Sequence, residues 1–149
     1  MALFETVQEK RPSPARRRGV MVLAFLLVGG IVLWYLLRFH SEKVVIHHFM
    51  DAVVAGNMQE AYRIWQPTPS YTMDRFLEDW GSNSYYGPVR SYLVKDASRV
   101  RKGSAVEVVV EVSPDAPFPS DDDAAKQSRV KEVKLWVDPG QHSVSFPPF

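Results

Sequence analysis

From Gly19 to Leu37 the chain reads GVMVLAFLLVGGIVLWYLL, with no side chain charged at neutral pH. As a helix rising ~1.5 Å per residue, this run reaches about 28 Å, close to the ~30 Å hydrocarbon thickness of a bilayer. A helix is the form that lipid demands, because backbone N–H and C=O groups there have no water to bond. The pattern predicts a transmembrane helix over residues 19–38.

Beyond Arg38 the apolar positions become periodic. Val45, Ile46, Phe49, Met50, Val53 and Val54 recur at spacings of three and four, the signature of an amphipathic helix. Gly56 suits its C-terminal cap. Asn57-Met58-Gln59-Glu60 has the form of a capping box and opens a second helix, with Ala61, Tyr62, Ile64 and Trp65 apolar; Pro67 and Pro69 stop it. A third helix starts at Thr72, points Phe76, Leu77 and Trp80 inward and ends before Gly81. No Gly or Pro falls between Ile31 and Ala55, so the membrane helix is expected to run on into the first helix of the domain as a stalk. A separate helix capped by Ser41 is the alternative.

The second half alternates with a period of two. Val89–Val94, continuing toward Arg99, and Ala105–Val112 predict a hairpin around Arg101-Lys102-Gly103-Ser104. Val130–Val137 places Val133, Leu135 and Val137 on one face and Glu132, Lys134 and Trp136 on the other. Asp138–Gln141 turns the chain into a last strand, His142–Phe146. Ser113–Ser128, rich in Pro and Asp, reads as a mobile polar loop.

Charge adds an orientation. Before the membrane run, five Lys/Arg stand against two Glu; residues 39–149 carry 12 Lys/Arg against 15 Asp/Glu, a net −3. Arg16, Arg17 and Arg18 abut the apolar run, where the positive-inside bias counts most, and Trp34 and Tyr35 suit the outer headgroup level. This predicts a cytoplasmic basic arm over residues 1–18, broken by Pro12 and Pro14, and an extracytoplasmic domain over 39–149, at the inner membrane of a bacterium. Small residues for signal cleavage are missing after Leu37, so the helix is expected to remain as an anchor. The arm is too short and too poor in interleaved aromatics for nucleic acid, and its expected contacts are anionic lipid or, through Leu3, Phe4 and Val7, a partner subunit. Gly29-Gly30 would permit close approach of another helix, although no small-xxx-small pair is completed. With no cysteine, neither disulfides nor thiolate metal sites are available.

The segments FMDAVVAGNMQEAYRIW, TMDRFLEDWG, AVEVVVEV and VKEVKLWV, in the order helix, helix, helix, then strands, resemble the nuclear-transport-factor-2-like superfamily. The likeness implies an α+β cone, three helices packed on a curved antiparallel sheet of about four strands. It implies either an assembly and interaction module among other membrane-complex subunits, or a small-molecule ligand held in the cone, with Asp51, Tyr62, Trp65 and Trp80 as pocket candidates. Acid–base chemistry in such a cone would use a carboxylate or imidazole with Tyr donors, yet no spacing assigns one. His47 and Asp51, four apart, are too few for a metal site, and Asp121-Asp122-Asp123 lacks the spacing of a calcium loop. No cofactor is implied. Tyr85-Tyr86-Gly87-Pro88 reads equally as a partner surface or as a plug at the edge of the core. The expectation is therefore a non-enzymatic, single-pass interaction module.

Overall fold

The computed structural model describes residues 14–65 and 67–148. The first helix, α1 (Pro14–Leu37), starts on a proline, whose missing N–H costs nothing at a first helical position. It takes in Arg16, Arg17 and Arg18, so the basic cluster lies at the start of the helix. The expected docking residues Leu3, Phe4 and Val7 lie outside the described residues. With 24 residues, α1 reaches about 36 Å; it buries no side chain and is long and apolar enough to cross a membrane.

The chain divides into compact units between Arg38 and Phe39. Arg38 and Phe39 form a turn before α2 (His40–Val54), which corrects the expected unbroken stalk. Phe39 leaves the helical region at φ −125° and ψ 29°, its ring packs against the domain core, and its carbonyl accepts from the Lys43 N–H at 3.0 Å. A partly buried aromatic ring thus marks the point where the helix stops. Ser41 is no cap; its hydroxyl bonds Glu42.

In the domain, α2 buries Val45, Ile46, Phe49, Met50 and Val53. Its end is a Schellman motif: Gly56 takes φ +74°, Gly56 N–H donates to Val53 O at 3.0 Å and Asn57 N–H to Ala52 O at 2.9 Å. Asn57 then caps α3 (Met58–Ile64) by accepting from the Glu60 N–H. The reciprocal half of the expected capping box is not made, because Glu60 pairs instead with Arg63 and the Asn57 N–H is already used. In α4 (Met73–Trp80) the inward stripe is Met73, Phe76 and Trp80; Leu77, one residue off it, is 39% exposed and corrects the expectation that it faces inward.

The sheet is an open antiparallel meander, β1 (Ser91–Arg99), β2 (Val106–Ser113), β3 (Lys131–Asp138) and β4 (Ser143–Ser145), in that order. Val106, Val108, Val110 and Val112 face in with Val133, Leu135, Val137 and Val144. Register slips between Val94 and Asp96, and the bulge flips the parity of β1: Tyr92 and Val94 pack inward before it, Ala97 after it. This explains why the sequence alternates only loosely there. The outer side of β4 is met by a bridge from Trp65 to Val144.

The helix count exceeds the three expected. Inside the stretch read as a mobile loop lies α5 (Ala124–Gln127), capped by Asp123. Lys126 pairs with Asp123 and Arg129 with Asp115, each at 2.9 Å, and Gln127 Nε2 donates to Pro119 O at 3.0 Å. The loop is held by its own polar contacts. Above the sheet, α2 touches all four strands, and α3 lies between α2 and α4.

Candidate interaction surface

The turn after α4 is built on two glycines. A Cβ on Gly81 would stand 2.4 Å from Leu77 O, and one on Gly87 would stand 1.9 Å from Gly81 O. Ser84 bridges the loop: its hydroxyl donates to Gly81 O at 2.6 Å and accepts from the Gly87 N–H at 2.9 Å. This tight closure aims the neighbouring tyrosines in opposite directions. Tyr86 folds inward and stacks on Trp80 with ring centroids 5.1 Å apart. Tyr85 stays 68% exposed, edge-on to Tyr86 at 4.9 Å. Lys131 lies 4.4 Å from the Tyr85 ring centroid, and its ammonium donates to the Tyr85 carbonyl. The two readings of the adjacent tyrosines are therefore divided between them, Tyr86 as plug and Tyr85 as exposed ring.

The pocket candidates fall in different places. Trp65 and Trp80 are buried, 6.0 Å apart, in a cluster with Phe49, Phe76 and Phe146. Tyr62, half-buried, lies 5.5 Å from Phe76 and donates to Tyr71 O at 2.9 Å. These rings occupy the space between helices and sheet. Trp136 points to the other face, where its Nε1–H donates to Glu107 at 3.2 Å.

Asp51 is exposed and far from that cluster in role. The Tyr92 hydroxyl donates to Asp51 Oδ1 at 2.7 Å and lies 2.8 Å from His47 Nδ1. A phenol has one proton; once it is given to Asp51, Nδ1 of His47 must be the donor to the phenol oxygen. The gap between His47 and Asp51 that a cation would share is thus taken by Tyr92. Sequence reasoning put His47 and Asp51 on one face but gave no signal for Tyr92, which arrives from a strand 41 residues later.

Burial, then the bond to Asp79, holds the Tyr71 phenol well above its ordinary value, and burial with the bond to Asp51 does the same for Tyr92. The folded state therefore binds these protons more tightly than the unfolded chain. Their stabilisation is fully present below about pH 10, the unfolded tyrosine value, and fades as pH rises above it. Melting temperature is expected to fall as pH rises from about 10 to about 12, with a shallower slope in Tyr71→Phe. An equal slope in the two proteins would refute the assignment.

A shallow groove of about 400 Å³ lies between α2 and the β3–β4 turn, lined by Ser41, Val44, Val45, His48, Ile64 and His142. On α1, a Cβ on Gly29 or Gly30 would meet no atom within 4 Å. Arg38 lies 5.7 Å from the ring centroid of Trp34, and Trp34 and Tyr35 are exposed in the last turn. Among the described residues no group of three or more His, Cys, Asp or Glu is placed to hold a metal ion. Known protein families, curated proteins and solved structures offer no match to this chain.

Proposed function

We propose that this chain is a single-pass membrane protein whose outer domain docks another protein, as an accessory or assembly subunit of a membrane complex. In this reading α1 crosses the inner membrane of a bacterium with Arg16, Arg17 and Arg18 on the cytoplasmic side, in keeping with the positive-inside bias. The α+β domain is a nuclear-transport-factor-2-like cone; helices laid over an antiparallel meander support this. The function is non-enzymatic.

Tyr85 carries the reading. It is a large ring left in water, yet clamped from behind by Tyr86 and from the side by Lys131, so little freedom remains to be lost on docking. Exposed, pre-ordered tyrosines are the residues that anchor protein interfaces. Rings packed where a ligand would sit favour this reading over a cone pocket. A photoreactive residue in place of Tyr85 is expected to yield one discrete adduct in native membranes, and one in place of Lys134, on β3, none. A chain that stays uncrosslinked at position 85 and purifies alone would end the proposal.

The groove over Val44, Val45 and Ile64 supports a second reading, a small amphiphile with its polar end at His48 or His142. A screen of fatty acids that raises the melting temperature, with Val44→Glu abolishing the effect, would favour it.

A further inference from the structure

Sheet register sorts the domain's charges by end. Arg99, Val106, Val137 and Val144 form one row across the strands, and Tyr92, Val112 and Lys131 another. The 100–105 hairpin tip and the 139–142 turn therefore project beyond the first row, and the 114–130 connection projects beyond the second. His142 shares a groove with Ser41, Val44 and Val45, so α2 begins at the first-row end. Only Arg38 and Phe39 separate Leu37 from His40. The end that carries the hairpin tip is thus the end at which the chain arrives from the membrane run.

That tip is basic within an acidic domain. Arg99, Arg101 and Lys102 are all exposed, and none forms an ion pair among the described residues. No carboxylate occurs between Asp96 and Glu107. Asp138 at the same end is held in its turn, accepting from the Gly140 and Gln141 N–H groups at 2.7 and 3.1 Å, and Glu42 is matched by Lys43 beside it. The opposite end carries Asp115, Asp121, Asp122 and Asp123 against Arg90, Lys126, Arg129 and Lys131, with Asp121 and Asp122 exposed, so it has no basic excess. The basic excess lies at the end of the domain where α2 begins.

We propose that the Arg99–Lys102 tip is a second, electrostatic contact with the bilayer, docking on anionic lipid headgroups and setting which side of the domain is presented outward. The inference rests on α1 spanning the membrane. Tethering makes lipid the favoured occupant: a patch joined to the anchor through so short a connection meets headgroups at a high effective concentration, whereas an acidic protein must diffuse to it. Each basic side chain near an anionic surface contributes about fivefold to the docked population, and salt screens the contribution over ~10 Å at 0.1 M.

The chain has no cysteine, so single labels are straightforward. The full chain would carry a donor dye at Ser104→Cys, or at Asp122→Cys as the far-end control. It would be reconstituted into vesicles with headgroup acceptors, made of phosphatidylcholine alone or mixed with phosphatidylglycerol. Transfer from position 104 is expected to rise in the anionic vesicles and to fall back in molar salt. Combining Arg99→Gln, Arg101→Gln and Lys102→Gln should lower the docked ratio by ~100-fold while leaving the melting temperature unchanged. Transfer that is equal in both vesicles, or equal at positions 104 and 122, overturns the docking. A chain removed from the vesicles by carbonate washing overturns the spanning reading, and this inference with it.

Discussion

Phe49→Ala is expected to cost the domain about 3–5 kcal/mol, a large fraction of the ~5–15 kcal/mol that holds a fold this size. Phe49 is 0% exposed and joins three other aromatic rings: Trp65 at 5.4 Å, Phe76 at 6.2 Å and Trp80 at 5.1 Å. It ties α2 to Trp65 at the C-terminal end of α3 and to α4 at once, so its removal opens a cavity that no single neighbour can close. Leu77→Ala, on the partly exposed side of α4, is the comparison and should cost under ~1 kcal/mol. Guanidinium unfolding of the full chain in detergent, followed by tryptophan fluorescence, measures both. Equal costs would show that the cluster is not the core of the domain.

The second large effect is expected from the smallest substitution. Gly87→Ala places a methyl 1.9 Å from Gly81 O and 2.9 Å from the Ser84 hydroxyl, and backbone cannot yield as a flexible side chain does. The loop must open, breaking the Ser84 bridge and withdrawing Tyr86 from Trp80. A loss of about 2–3 kcal/mol is expected, the scale of an overpacked site. Near-ultraviolet circular dichroism should lose the signal of the stacked Tyr86–Trp80 pair, and any adduct captured through position 85 should vanish. Gly30→Ala on α1, where a Cβ meets nothing, should leave stability unchanged. Wild-type stability in Gly87→Ala would mean that the loop is not closed in this way.

The candidate surface was half legible in the residues. Tyr85-Tyr86-Gly87-Pro88 stood out as adjacent aromatics beside turn formers, but which ring is buried depends on Trp80 and Phe146, which come from other elements. The bridge from Tyr92 to His47 and Asp51 was not legible, because no spacing links a helix to a strand. Arg101-Lys102-Gly103-Ser104 was visible as a turn; only pairing of Arg99 with Val106, and of Val106 with Val137, places it at the end where α2 begins.

What the sequence determined by itself was local: an apolar run flanked by arginines, the 3.6-residue stripe of Val45–Val53, the glycine and asparagine that close one helix and open the next, and the two-residue alternation of Val106–Val112 and Val133–Val137. Each depends on residues a turn or a pleat apart, so near neighbours suffice to specify it. The tertiary structure alone decided the rest. It broke the helix at Arg38 and Phe39, flipped the parity of β1 through a bulge, and sent Tyr86 inward and Tyr85 outward. Those outcomes depend on partners tens of residues away, whose meeting is set by packing and register and not by the order of residues along the chain.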